Sequence, residues 1–148
     1  MLKHLSDLSE GDAALGPILL ADLGATVIKV EPPEGSPTRH SQPKVTNDAG
    51  ESESLRFAAF NRGKLSVSLD LHAGSGRERF LDLVRNATVL FENAAPGFMD
   101  RIGLGFESLV DANPNFVYVT TTPFGQDGPY SGYQTTDLTL AAMSGVMA

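Results

Sequence analysis

The chain has 148 residues, 41% hydrophobic and 20% charged, a size and composition that build one ordinary domain, or part of one, around a buried core rather than a disordered segment. Eighteen acids against eleven bases give a formal charge of −7, which argues against a nucleic-acid groove or an anionic membrane surface as the main partner. The lack of cysteine removes disulfides, thiolate nucleophiles and cysteine-based metal sites; no apolar run approaches the ~20 residues of a membrane helix, and MLKHLSDLSEGD has no signal-peptide core, so the expected location is the cytoplasm.

In chain order, LLADLGA is an apolar helical turn closed by Gly24, and it leads into TVIKVE, Thr26 to Glu31, whose β-branched residues predict a strand stopped by Pro32-Pro33. Gly35 to Glu53 is polar, carries Pro37, Pro43 and Gly50 and holds no sustained period; it is expected to be a long loop, functional or mobile. Leu65 to Leu71, LSVSLDL, alternates apolar and polar residues and predicts a second strand. Ser75-Gly76 opens a helix in which Phe80, Leu81, Val84 and Ala87 recur at helical spacing, ending near Asn86. Ala87 to Glu92 fits a buried parallel strand. Phe98 to Arg101 and Phe106 to Asp111 predict short helices separated by Gly103 and Gly105, and Asn113-Pro114 ends the second. Phe116 to Thr122 is the last strand, Pro123 to Gly132 a loop, and Asp137 to Met147 a helix with Thr135 or Thr136 as N-cap. Strands separated by helical segments predict an α/β fold: an open, mainly parallel sheet with covering helices, which places its ligands beyond the strand carboxyl ends.

The candidate chemistry is sparse. No GxxxxGKS/T and no GxGxxG is present, so a dinucleotide cofactor has little support. His4, His40 and His72 are isolated in sequence and read as surface or loop residues. Asp70 and Glu92 each close a predicted strand, where they could contact a ligand or cap the next turn. In Asn61-Arg62-Gly63-Lys64 two cations flank a glycine, a pattern that suits a phosphate or a solvated turn. Arg101, between glycine-flanked turns, could clamp an anion near Asn93 or pair with Asp100 or Asp82 on the surface.

Taken in order, LLADLGATVIKVEPPEGSPTR, FNRGKLSVSLDL, VLFENAAPGFMDRIGLGFESL, NPNFVYVTTTPFGQDGPY and TDLTLAAMSG closely resemble the amino-terminal half of the family III CoA-transferases, also called the CaiB/BaiF family. The resemblance runs from about Leu19 to Ala148. It implies an enzyme that moves coenzyme A between carboxylic acids, with acyl-CoA and carboxylic acid substrates and no metal, and a homodimer of two interlocked chains. It also implies that residues 1–148 are the N-terminal part of a Rossmann-like, CoA-binding large domain, to which a small domain is added. The LDL strand end, Ser68, Leu69, Asp70 and Leu71, matches the family's adenine and phosphate region; Asn93 with Ala94, Arg101, and Thr136 with Asp137 are carried over as further CoA-binding positions.

Two positions depart from the family pattern. Asp12-Ala13-Ala14 stands where many members carry Ala-Gly-Pro, and Pro32 replaces an arginine that often follows the strand glutamate, leaving Arg39 as a substitute phosphate ligand. The family's nucleophilic aspartate lies some tens of residues beyond the GPY loop, so no catalytic residue is expected within this chain. In the related α-methylacyl-CoA racemases a histidine precedes the aspartate that matches Asp137; Thr136 takes its place here and has no titration near neutral pH. Besides the racemase, a non-catalytic, truncated CoA-binding module stands as an alternative.

Overall fold

The structure is a computed structural model that describes residues 4–7, 11–46, 48 and 50–147. Five strands form one parallel sheet: β1 (His4–Asp7), β2 (Thr26–Glu31), β5 (Leu65–Ser68), β6 (Val89–Glu92) and β7 (Val117–Thr120). Their spatial order is β5-β2-β1-β6-β7. The chain thus steps outward from β1 through β2 to β5, then crosses back to build β6 and β7 on the other side, which puts a topological switch point between β1 and β6. A separate antiparallel hairpin joins β3 (Lys44–Thr46) to β4 (Ser52–Ser54).

Helices cover both faces. On one, α3 (Gly74–Arg85), α4 (Phe98–Arg101) and α5 (Phe106–Ala112) bury Phe80, Val84, Met99, Leu104 and Leu109 against Val30, Leu69 and Leu90. Phe80 and Val84 fall four apart on α3, so both reach the sheet from one helical face. On the other face α1 (Leu15–Asp22) sets Leu20 and Ala21 against Val27 and Val89. Strands β2 and β6, covered on both sides, accordingly carry apolar residues at successive positions.

The predicted open α/β fold is the one observed, and strand β2 has the predicted bounds. Strands β5, β6 and β7 are shorter than predicted, and other segments differ more. β1, the central strand, was not legible: HLSD is short and polar, yet it pairs with β2 and β6 along its length. Its Asp7 is fully buried because Lys64 Nζ donates to Asp7 Oδ2 at 2.7 Å, an internal ion pair that replaces hydration. The expected long loop of 35–53 contains a 3-10 turn at Pro37–His40 and the β3–β4 hairpin. It is followed by α2 (Leu55–Asn61), whose N-cap Ser54 accepts from Phe57 N at 3.2 Å. The helix expected over 137–147 is α6 (Asp137–Met143), with Thr136 as its N-cap in a capping box with Thr139.

Candidate functional site

Because the sheet is parallel, all five strands deliver their carboxyl ends to one edge. A cleft of about 390 Å³ opens there beyond β2 and β5. Val30, the Pro32–Glu34 turn and Pro37 form one wall; Leu69, Asp70, Leu71 and His72 form the other, and Phe98 at the start of α4 closes the end. The walls are mainly apolar, the character of a pocket for a flat aromatic group with a few polar fixtures at its rim.

Both walls have a local cause. Strand β5 stops at Ser68 rather than at Leu71 because Asp70 turns the chain: its Oδ1 accepts from His72 N at 2.9 Å and its carbonyl from Ala73 N at 3.1 Å. The α3 N-terminus packs so close to this turn that a Cβ at Gly76 would stand 1.9 Å from the Asp70 carbonyl oxygen, which only glycine tolerates. Opposite, the 32–36 turn wraps around the carboxylate of Glu31, which is 3% exposed. Arg39 donates to it twice, Nε to Oε2 at 2.6 Å and Nη2 to Oε1 at 2.7 Å. Ser36 N donates to Oε2 at 2.9 Å and Ser66 Oγ to Oε1 at 2.6 Å. Burial alone would raise this carboxyl; the hydrogen bonds and charge of Arg39, with Ser66 and Ser36, outweigh it and bring the pKa down from 4.5 to about 2. Arg39 also lies 3.9 Å over the Phe57 ring.

The site residues read from the sequence fall in three places. Leu69, Asp70 and Leu71 line the cleft together, with Leu69 buried; Ser68 ends β5, exposed, in register with Glu31. Asn93 and Ala94, both half-buried, lie on the turn from β6 to α4, and exposed Arg101 ends α4, the helix that Phe98 begins. Asn93, Ala94 and Arg101 are thus tied to the cleft through Phe98 without lining it. Arg101 Nη1 donates to Pro96 O at 3.3 Å; neither Asp100 nor Asp82 is its partner, since Asp82 pairs with Arg85. Thr136 and Asp137 stand exposed at the start of α6, outside the cleft lining.

Other candidates serve the fold. Arg62 pairs with Asp22 at 2.6 Å and Lys64 with Asp7, so the two cations of NRGK hold α2 and β5 to α1 and β1. Arg39, the substitute phosphate ligand of the sequence reading, is the partner of Glu31. His72, read as a surface or loop residue, is exposed in the turn after β5 and also lines the cleft, with its ring edge-on to Phe98, centroids 6.0 Å apart. Its only sequence signal was its place directly after the LDL strand end.

A smaller cavity of about 190 Å³ lies beyond β6 and β7, lined in part by Glu92, Tyr118, Thr120, Gln126 and Phe106. Glu92 is 2% exposed. Its Oε2 accepts from Ala94 N at 2.7 Å, and its Oε1 from Tyr118 Oη at 3.2 Å and Gln126 Nε2 at 3.4 Å. Burial, then the charge of Glu92, pushes the Tyr118 hydroxyl above its ordinary range. Among the described residues no group of three or more His, Asp or Glu could hold a metal ion, and no helix is long and apolar enough to cross a membrane.

Known proteins share this sequence and this fold. The chain is 44% identical to an acetyl-CoA:oxalate CoA-transferase of Acetobacter aceti over 133 residues, 89% of this chain and 33% of that protein. It is 40% identical over 136 residues to the succinyl-CoA:(R)-benzylsuccinate CoA-transferase subunit BbsE of Thauera aromatica, again 33% of that protein. The crystal structure of a CAIB/BAIF family protein from Brucella suis superimposes with a TM-score of 0.91 at 39% identity, covering 98% of this chain and 39% of that one. The chain therefore spans about a third of the length of the relatives it matches. Residues 10–148 match the model of CoA-transferase family III, and the chain belongs to that family.

Proposed function

We propose that this chain is the N-terminal, CoA-binding part of the large domain of an acyl-CoA:carboxylate CoA-transferase. The observation that carries the reading is the convergence of Leu69, Asp70, Leu71 and Phe98 on one apolar cleft at the carboxyl edge of a parallel sheet. The fit to CoA is chemical. An adenine needs flat apolar walls, and Pro32, Pro33, Leu69, Leu71 and Phe98 supply them; the phosphates need a cation and amide donors at the rim, and Arg101 and the Asn93 amide are the groups that the turn and α4 would bring.

In this reading the reacting carboxylate is an aspartate outside residues 1–148. Its oxygen attacks the acyl thioester, the C–S bond breaks, and a mixed anhydride forms as the CoA thiolate leaves. The thiolate then attacks the aspartyl carbonyl and the donor carboxylate departs; the acceptor acid takes CoA from the resulting aspartyl thioester by the same two steps in reverse. Between steps the thiolate must stay in place. The work of this chain is to hold the nucleotide end of CoA so that the exchange remains effectively intramolecular. A racemase reading needs a base where Thr136 stands, and the Thr136 hydroxyl is spent on capping α6, accepting from Thr139 N at 3.3 Å.

Titration calorimetry with CoA tests the reading. A specific phosphate contact from Arg101 makes Arg101→Ala cost about 1.5–3 kcal/mol of affinity, roughly ten- to a hundred-fold in Kd. Equal affinity of the two proteins, or no heat from the unsubstituted chain, would remove the assignment.

A further inference from the structure

The segment from Asn93 to Gly97 carries Asn93 and leads into α4, which ends in Arg101; as α4 begins, Phe98 N donates to Ala95 O at 2.9 Å and Arg101 N to Gly97 O at 3.1 Å. Gly97 has φ +70°, left-handed backbone that a glycine enters cheaply. The turn is also held from outside. At one end Ala94 N donates to Glu92, as above; at the other, Gly97 N donates to Gln126 Oε1 at 3.3 Å across 29 residues of sequence. The same Gln126 amide donates through Nε2 to Thr120 Oγ1 at 2.6 Å and to Glu92 Oε1. One side chain therefore ties together the end of β6, the end of β7 and the turn that precedes α4.

We propose that Gln126 is a positioning residue for ligand binding: with Glu92 it forms a latch that fixes the 93–97 turn, and through it the placement of Asn93, Phe98 and Arg101. This rests on the reading of the cleft as a CoA site. The orientation of the amide follows from its neighbours. Its nitrogen faces two oxygens and its oxygen faces an N–H, so only an amide satisfies all three at once. A glutamate at 126 has the same shape but would set a carboxylate oxygen against Glu92 Oε1, where like charges repel. Glutamine at 92 would restore a donor to that contact.

The test compares Gln126→Glu, Gln126→Ala and the double variant Glu92→Gln/Gln126→Glu with the unsubstituted chain. It reads amide hydrogen exchange at Ala94 and Gly97 without ligand, then the Kd for CoA. Losing one hydrogen bond of this kind is worth up to about tenfold in an equilibrium. Gln126→Glu is therefore expected to speed exchange at Gly97 about tenfold and to weaken CoA by a similar factor, with Gln126→Ala affected less. The double variant should recover most of both losses, a non-additivity expected only of groups in contact. Unchanged exchange at the Leu90 amide shows that the sheet is intact; if Gln126→Glu unfolds the sheet, Gln126→Ala carries the comparison. Unchanged exchange at Gly97, or no recovery in the double variant, overturns the latch. Faster exchange with an unchanged Kd overturns its link to the ligand. Failure of the unsubstituted chain to bind CoA strikes at the functional reading instead, and the exchange rates still decide whether the latch exists.

Discussion

Acidification should dismantle the wall of the cleft at one identifiable carboxylate. Glu31 has its pKa lowered from 4.5 to about 2 by hydrogen bonds that outweigh its burial. A depressed carboxyl contributes stability that is fully present above its unfolded value and is lost as pH falls toward its folded one. One pKa unit is worth about 1.36 kcal/mol, so the drop corresponds to about 3 kcal/mol. The Arg39 side chain is 41% exposed, and solvent screening of its charge brings the expected contribution nearer to about 2 kcal/mol. The assay is urea unfolding of the unsubstituted chain and Glu31→Gln from about pH 6 to about pH 2.5, where other titrating groups affect both proteins alike. Their stability difference should shrink by about 2 kcal/mol over that window. A difference constant across it would refute the account of Glu31 as an ionised carboxylate clamped by Arg39.

Three further outcomes follow from packing. Lys64→Met removes the buried cation that stands 2.7 Å from Asp7 and should cost about 3–5 kcal/mol in urea unfolding; a loss under 1 kcal/mol would contradict the buried pair. Phe80→Ala, at a fully buried site between α3 and the sheet, should cost about 3–5 kcal/mol, read from the shift in urea midpoint. Gly76→Ala forces a methyl into the Asp70 carbonyl and should cost about 1–3 kcal/mol while weakening CoA, because the displaced backbone is a wall of the cleft. Normal affinity in that variant would detach the 69–72 turn from binding.

What the sequence disclosed followed the strength of its local patterns. TVIKVE and VLFE are mostly β-branched or apolar, and α3 repeats Phe80 and Val84 at helical spacing, so these elements were legible with nearly their observed bounds. HLSD was not, since what holds β1 is pairing on both edges and the contact of Asp7 with Lys64 across 57 residues, neither of which a local window contains. The same limit hid the fate of the cations. Arg39, Arg62 and Lys64 all looked available to an anion, and each is instead matched to a carboxylate that the fold brings near, buried for Arg39 and Lys64 and exposed for Arg62. Asp70 was legible as closing a predicted strand, while Leu69 and Leu71 were named through the family resemblance; the contacts of His72 and Gln126 were not legible because their surroundings come from α4 and from the turn after β6.

The central claim is that the cleft beyond β2 and β5 holds the nucleotide end of CoA. Amide and side-chain NMR resonances followed while CoA is titrated into the chain address it most directly. The account predicts saturable shifts concentrated at Leu69, Leu71, His72 and Phe98 and spreading to Asn93 and Arg101. Shifts confined to the surface around Lys44 and Arg62, or none at the cleft at saturating CoA, would contradict it.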